Sequence, residues 1–301
     1  MGTALVDLLS IDSLSDSQIA TILDRAQHFF ADNRAGRSRK ALAGRILFNL
    51  FYENSTRTLM SFATAAHRLG ASVVTLPVEQ SSVKKGETLA DTARTLNAMR
   101  PDVLVIRNRE NGSAEAVAAI MDAPVINAGD GTNEHPTQAL LDAATLQQRL
   151  GSLDGVKVAI CGDIRHSRVA RSNAKLLPRL GAEVQLAGPP ELMPNDAPTT
   201  TVDDAIAGAD VVMMLRVQRE RLDSDFGDAP GEYLELYGLT AKRLASAAPE
   251  VMVMHPGPMN RGVEIDGTIA DEPQRSLITL QVEMSVATRM ACLEFVTGIK
   301  N

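Results

Sequence analysis

The chain has 301 residues, 30 Lys and Arg against 37 Asp and Glu, and a formal net charge of −7. Hydrophobic residues make up 45% and charged residues 22% of it, which is typical of a globular protein with a sizeable core and excludes a disordered or collagen-like chain. The length favours two domains. The acidic balance, together with the absence of a Lys/Arg run longer than two, argues against nucleic-acid binding.

Other classes of protein are also disfavoured. The sequence contains neither a long uncharged apolar stretch nor a basic segment followed by an apolar one at its start, so we predict a cytoplasmic protein without a membrane span. Cys161 and Cys292 stand outside any CxxC or Cys/His cluster. We therefore predict two reduced core cysteines and no metal site.

Strands and helices alternate in the first half of the chain. Apolar residues at Ile19, Ile22, Leu23, Ala26 and Phe29 have the spacing of a helix. Short apolar runs predict strands, and periodic segments between them predict helices. The predicted elements are helix 15–30, strand 45–51, helix 58–69, strand 72–76, helix 87–99, strand 103–106, helix 113–121 and strand 124–127.

The second half repeats this alternation after a long predicted helix. Its predicted elements are helix 135–150, strand 157–162, helix 167–180, strand 183–187, a Pro-rich loop at 188–198, helix 202–207, strand 210–215, helix 240–247, strand 251–255 and an amphipathic helix at 277–295 that packs back across the domains. Parallel strands need crossover connections, which are usually helical. We therefore predict an α/β protein with two doubly wound parallel sheets.

The turn after the first predicted strand carries Ser55, Thr56, Arg57 and Thr58. Ligands of open α/β sheets bind beyond the carboxyl ends of the strands. The N–H groups of a helix N-terminus favour an anion, and Arg can add a bidentate bond to phosphate or carboxylate. Simple N-capping by Ser55 or Thr56 explains the same pattern about equally well when the turn is taken alone.

Two later turns carry groups that suit the same ligand. Arg107 ends the third predicted strand, and His135 and Gln138 flank a helix start marked by Pro136. A lone arginine at a strand end is often solvated, and a lone histidine is more often structural. Three βα turns that present such groups together favour a site for a phosphate next to a carbonyl.

Four motifs in these segments resemble, in order, the signatures of aspartate carbamoyltransferase catalytic chains. They are Phe51-Tyr52-Glu53-Asn54-Ser55-Thr56-Arg57-Thr58, Lys84-Lys85-Gly86-Glu87-Thr88-Leu89-Ala90-Asp91-Thr92, His135-Pro136-Thr137-Gln138 and His255-Pro256-Gly257-Pro258. The resemblance spans essentially the whole chain. It implies transfer of a carbamoyl group from carbamoyl phosphate to L-aspartate, in pyrimidine biosynthesis, without a cofactor.

The resemblance also implies roles for individual residues. Those implied to bind carbamoyl phosphate are Ser55, Thr56, Arg57, Thr58, Arg107, His135, Gln138 and Pro256. Arg57, Thr58, Arg107 and His135 are the implied catalytic residues. The implied domains are 1–134 with 283–301 for carbamoyl phosphate and 135–282 for aspartate, with the active site in the cleft between them.

Further groups are implied to bind the carboxylates of aspartate. They are Lys85, Arg168, Arg216 and Gln218. The polar loop between Pro77 and Glu87 by itself predicts a mobile surface loop. The resemblance implies instead that Ser81 and Lys85 enter the active site of a neighbouring subunit in a homotrimer, and it leaves open whether regulatory chains or dihydroorotase join that trimer.

Two alternatives compete with this interpretation. Ornithine carbamoyltransferase shares the phosphate motif, but it has a cysteine in a His-Cys-Leu-Pro sequence where this chain has His255-Pro256-Gly257-Pro258. A non-catalytic assembly subunit would be free to lose donor groups, and none of the expected donors is missing here. Leu59 and Ala63 depart from the usual basic and acidic residues of the family, which affects local ion pairs or subunit contacts rather than phosphate donors.

Overall fold

The computed structural model of the protein describes residues 5–78, 81–196, 200–217 and 231–299. The chain divides into two compact units. One comprises Met1–Ala144 with Val282–Asn301, and the other comprises Thr145–Gln281. Each unit contains one parallel sheet of four strands.

The first unit alternates strands and helices in the order expected. Its elements are α1 Asp16–Arg34, β1 Ile46–Phe51, α2 Thr56–Arg68, β2 Ser72–Leu76, a 3₁₀ turn Ser82–Lys85, α3 Leu89–Ala98, β3 Val103–Asn108, α4 Ser113–Ala118 and β4 Val125–Asp130. Two longer helices, α5 Pro136–Leu150 and α11 Ile278–Thr297, run across the boundaries between the units. A capping box between Ser15 and Gln18 starts α1.

The second unit follows the same plan. Its elements are β5 Lys157–Cys161, α6 Arg168–Arg179, β6 Glu183–Ala187, a 3₁₀ turn Pro190–Leu192, α7 Val202–Ile206, β7 Val211–Met214, α8 Glu232–Tyr237, α9 Ala241–Leu244, β8 Met252–Met254 and α10 Gly267–Ala270. The strand order is β2-β1-β3-β4 in the first sheet and β6-β5-β7-β8 in the second. Neighbouring strands of both sheets pair in parallel.

Helices cover both sheets, so the central strands are buried along most of their length. In the first unit, Leu50 and Ile106 pack in one core with Ala93 of α3 and Val117 of α4. In the second unit, the corresponding core joins strand residues with residues of α7, α9 and α10. Its members include Ala159, Val212, Val253, Ile206, Leu244 and Ile269.

The predicted α/β class with two parallel sheets is confirmed, and each predicted strand is present. Strands 72–76 and 183–187 have the predicted ends, and the other six are shifted at one or both ends. Two short helices, α8 and α10, were not predicted, because neither is long enough to show helical periodicity. The amphipathic pattern predicted for the last helix was wrong. From Met284 to Leu293 every residue except Val286 is buried, since α11 is surrounded by protein. The polar loop before α3 holds a 3₁₀ turn capped by Ser81, whose hydroxyl accepts from the Val83 N–H at 3.3 Å.

Gly162, which follows β5, allows a close approach between two strand ends. Its φ is +130°, and a Cβ atom placed there would lie 2.7 Å from the carbonyl oxygen of Leu215. We expect Gly162→Ala to lower the free energy of unfolding by more than about 2 kcal/mol, because steric contact adds to backbone strain. Denaturant unfolding measures the loss.

Gly151→Ala is the matched control. Gly151 has a φ of +80° but no atom within 4 Å of an added Cβ, so only backbone strain of about 1–2 kcal/mol applies. Equal losses in the two variants would contradict the steric argument.

Candidate active site

Each sheet has one topological switch point, where the chain passes from one side of the sheet's first strand in sequence to the other side. In the first unit it lies between β1 and β3, and in the second between β5 and β7. Open parallel sheets bind ligands at this point, beyond the carboxyl ends of the strands. Ser55 to Thr58 follow β1 and Arg107 lies near the end of β3, whereas Arg168 follows β5 and Arg216 follows β7. The strand order therefore brings these predicted site residues to the switch points.

The turn after β1 opens α2. Ser55 is the N-cap residue and its hydroxyl accepts from the Thr58 N–H at 3.4 Å, so the capping interpretation is correct for Ser55. Capping uses the oxygen as an acceptor, and the hydroxyl hydrogen can still be donated to an anion. Thr56 and Arg57 are exposed at the first helical turn, and Thr58 is buried. Exposed donors at a helix N-terminus are suited to phosphate.

Arg107 is held at the same edge of the sheet by two contacts. Its Nη2 lies 2.9 Å from Oε2 of Glu53, in the turn after β1, and its Nη1 donates to the carbonyl oxygen of Ala128 at 3.2 Å. Arg107 pairs in register with Phe51 of β1. The guanidinium group is thus fixed between the ends of β1 and β4, beside the turn that carries Arg57.

A buried carboxylate organises the loop between β4 and α5. Both oxygens of Asp130, which is fully buried, accept hydrogen bonds at 2.9–3.2 Å. The donors are the backbone N–H groups of Gly112 and Glu134 and the side-chain amides of Asn127 and Asn133. This network fixes the segment that leads directly into His135.

His135 and Gln138 lie at the start of α5, and both are buried. The carbonyl oxygen of His135 accepts from the Gln138 N–H at 2.9 Å, which begins the helix. The side-chain Nε2 of Gln138 donates to Oδ1 of Asp142 at 2.9 Å. This contact fixes the orientation of the amide, whose Oε1 is a hydrogen-bond acceptor.

In the second unit, α6 begins behind a serine cap. The Ser167 hydroxyl accepts from the Ala170 N–H at 3.1 Å. Arg168, the first helical residue, is buried, with 8% of its surface exposed. Arg216 is half-buried just after β7. Gln218 lies outside the described residues. Both arginines therefore follow strands that flank the second switch point.

The turn after β8 is fixed by a histidine. Nδ1 of His255 accepts from the Gly257 N–H at 2.9 Å, so its Nε2 carries the hydrogen and donates to Oε1 of Glu264 at 3.2 Å. The His255 N–H donates to Oε1 of Gln281 at 3.0 Å. These bonds hold the backbone on both sides of Pro256.

Ser81 and Lys85 lie on the 3₁₀ turn after β2. The Ser81 hydroxyl donates to the Val78 carbonyl at 2.8 Å, and Lys85 is exposed. Sequence reasoning missed Glu53 and Asp130 as supports of the site. Glu53 precedes the Ser55 turn, where its charge could have suggested a partner for Arg107. Asp130 had no distinguishing signal, because no sequence pattern shows that one carboxylate accepts both from Gly112 and from three groups close to it in the chain.

Among the residues that the structure describes, no three or more His, Cys, Asp or Glu side chains form a cluster able to hold a metal ion. Within the same part of the chain, no helix has the length and apolar character needed to cross a membrane.

Two known family models match this chain, one over the part with the first sheet and one over the part with the second. The model of the carbamoyl-phosphate-binding domain of aspartate/ornithine carbamoyltransferases matches residues 6–148, and that of the Asp/Orn-binding domain matches residues 154–296. The chain belongs to the aspartate/ornithine carbamoyltransferase family.

Members of this family resemble the chain along nearly its full length. It is 56% identical to the aspartate carbamoyltransferase catalytic subunit of Rhizorhabdus wittichii, over 96% of this chain and 94% of the relative. It is 54% identical to that of Novosphingobium aromaticivorans, over 97% and 89% of the two chains.

Solved structures of the family have the same fold. Trypanosoma cruzi aspartate transcarbamoylase in complex with carbamoyl phosphate and aspartate aligns with a TM-score of 0.86 at 34% identity, covering 98% of this chain and 97% of that one. Pyrococcus furiosus ornithine carbamoyltransferase aligns with a TM-score of 0.88 at 28% identity, covering 100% of both. The fold is therefore shared by enzymes named for different amino acids.

The Asp130 network generates a stability prediction. Asp130→Ala leaves several buried donors without their acceptor, and each such donor costs about 1–3 kcal/mol. We expect a loss of more than about 3 kcal/mol in the free energy of unfolding, measured by denaturant titration.

Asp122→Ala is the control for removal of an aspartate. Asp122 is exposed and accepts from Nδ2 of Asn97 at 3.1 Å, so its loss should cost no more than about 0.5 kcal/mol. A similarly small loss for Asp130→Ala would show that the network contributes little.

Proposed function

We propose that this protein transfers the carbamoyl group of carbamoyl phosphate to the amine of L-aspartate, giving N-carbamoyl-L-aspartate and phosphate in de novo pyrimidine biosynthesis. The observation that carries the proposal is the position of Ser55 to Thr58 and Arg107 at the switch point between β1 and β3. The names of the relatives that are more than half identical to the chain support aspartate as the acceptor.

Ser55, Thr56, Arg57 and Thr58 bind the phosphate group in this proposal. The start of α2 supplies backbone N–H groups and a positive dipole end, and Arg57 supplies a bidentate cation. Arg107 adds a second cation whose position is fixed by Glu53. A doubly anionic phosphate suits this concentration of donors.

Thr58, Arg107 and His135 donate hydrogen bonds to the carbonyl oxygen of the substrate. The neutral amine of aspartate attacks the carbonyl carbon, and negative charge develops on that oxygen. Removing one fixed donor from such a charge typically costs about 3–4 kcal/mol, or about 10²–10³ in rate. The bond from the carbonyl carbon to the phosphate oxygen then breaks, and the departing phosphate accepts the proton from the amine.

Gln138 and Pro256 hold the carbamoyl NH₂ group through oxygen acceptors. Donation from Nε2 of Gln138 to Asp142 supports this role, since it assigns the remaining amide atom, Oε1, as the acceptor. The Pro256 backbone carbonyl is the second acceptor, and the hydrogen bonds of His255 stabilise the turn that contains it. Holding both substrates in reactive orientation supplies much of the rate enhancement.

Arg168, Arg216, Gln218 and Lys85 bind the two carboxylates of aspartate. The fold does not discriminate aspartate from ornithine, because the ornithine enzyme aligns as well as the aspartate enzyme. Charge does discriminate them. A cationic ornithine side chain is repelled by the arginines that attract a carboxylate, and His255-Pro256-Gly257-Pro258 lacks the cysteine of the ornithine enzymes.

We propose a cytoplasmic homotrimer in which Ser81 and Lys85 complete the active site of a neighbouring subunit. The exposed position of Lys85 supports this. Val74 of the edge strand β2 and Met60 of α2 are 50% and 58% exposed, which favours an apolar contact near the same loop. In this proposal the sequence-based domains, residues 1–134 with 283–301 and residues 135–282, bind carbamoyl phosphate and aspartate respectively.

The purified protein should carbamoylate aspartate and not ornithine when supplied with carbamoyl phosphate. Arg57→Ala should reduce kcat/KM by at least about 10³, because it removes a charged phosphate contact used throughout the reaction. Arg216→Ala should chiefly raise KM for aspartate. Steady-state colorimetric assay of the carbamoyl product measures these effects.

Arg100→Ala serves as a control for loss of an exposed arginine at a different edge of the first unit, and its activity should equal that of the wild type. Activity with ornithine alone would refute the aspartate assignment. An inactive wild type that folds normally would favour the non-catalytic assembly subunit.

The proposed sharing of sites generates a separate prediction. Arg57→Ala and Lys85→Ala should each be inactive, but hybrid trimers formed by dissociating and reassembling a mixture should recover activity. In an equal mixture about three quarters of the trimers are hybrids with one intact site each, so about a quarter of wild-type activity should return. Reassembly of each variant alone is the control, and hybrids without activity would contradict sharing.

A further inference from the structure

Arg289 of α11 is an arginine in the interior of the first unit, 1% exposed. Burial lowers the pKa of its guanidinium group to about 10, against smaller opposing effects of Cys292 and Asp142. A buried arginine costs more free energy than an apolar side chain of similar size unless its hydrogen bonds are well formed. The position of this charge therefore calls for a specific explanation.

The contacts of Arg289 lead to the proposed phosphate-binding turn. Its Nη1 donates to the Ser61 hydroxyl at 2.6 Å, and its guanidinium carbon lies 5.0 Å from the centre of the Phe62 ring. The Ser61 hydroxyl in turn donates to the carbonyl oxygens of Arg57 and Thr58, the latter at 3.1 Å. A charged donor polarises the hydroxyl and strengthens its own donation.

The position of Ser61 in α2 explains how Arg289 reaches the proposed site. Ser61 follows Arg57 by four residues, so it lies one helical turn behind a proposed substrate contact. Arg289 thus connects to the first turn of α2 through the Ser61 hydroxyl.

We propose that Arg289 is a positioning residue that fixes the phosphate-binding turn of α2. It touches no substrate and acts through Ser61. This inference rests on the proposed carbamoyl phosphate site. It assigns a role in substrate binding to a helix at the other end of the chain.

Arg289→Met, of similar length but without charge or donors, tests the proposal. In the folded protein, checked by circular dichroism, we expect the Kd for carbamoyl phosphate and for inorganic phosphate to rise at least about tenfold by titration calorimetry. KM for carbamoyl phosphate should rise with it. KM for aspartate at saturating carbamoyl phosphate should stay within about twofold, and Arg289→Lys should recover part of the affinity.

Glu294→Gln is the matched control on the same helix. Glu294 forms a bidentate pair with Arg25 of α1 at 2.7 and 2.9 Å, so its loss tests the packing of α11 against α1. Phosphate affinity within about twofold of wild type is expected for this control. The same result for Arg289→Met, with only a lower Tm, would overturn the proposal.

Ser61→Ala tests the connection without removing the buried charge. It should weaken phosphate binding in the same direction, and its effect combined with Arg289→Met should be less than the product of the two single effects. If Arg289→Met does not fold, unchanged phosphate affinity in folded Ser61→Ala overturns the proposal. A folded wild type that binds no carbamoyl phosphate would overturn the proposed function itself, whereas normal wild-type binding with unaffected variants overturns only the role of Arg289.

Discussion

The attraction between an anion and a helix N-terminus is the interaction on which this arrangement depends. The first N–H groups of a helix have no acceptor within the helix, and their dipoles point toward the strand end that precedes them. α2 and α6 begin at the two switch points of the sheets, where neighbouring crossover connections leave in opposite directions. These helix starts are therefore suited to the phosphate and carboxylate groups of small substrates.

Such a site needs cations that are held in position while some of their N–H groups stay available to the ligand. Glu53 and the Ala128 carbonyl hold two different nitrogens of Arg107, which restricts its rotation. Asp130 performs a similar task for the loop before His135, using four donors from three stretches of chain. Pre-organised donors stabilise developing charge without reorganising during the reaction.

The family likeness separates the requirements of the fold from those of substrate choice. Aspartate and ornithine enzymes align with this chain almost equally well, so the two sheets do not select the amino acid. In the proposed function, a few side chains after β5, β7 and β8 select the amino acid through their charge. The remote contacts of Arg289 with Ser61 show in addition that a segment outside the motifs touches the helix that carries them.

The amino-acid sequence by itself determined the α/β class, the approximate strands and helices, and the motifs at Ser55 and His135, because apolar periodicity and turn residues are local signals. It did not determine the strand order, the Glu53–Arg107 pair, the Asp130 network or the burial of α11. Those depend on contacts between residues far apart in the chain, and hydrophobic patterning does not specify which polar groups meet. Only the tertiary structure decided that a lone arginine at position 289 lies behind the turn that contains Arg57.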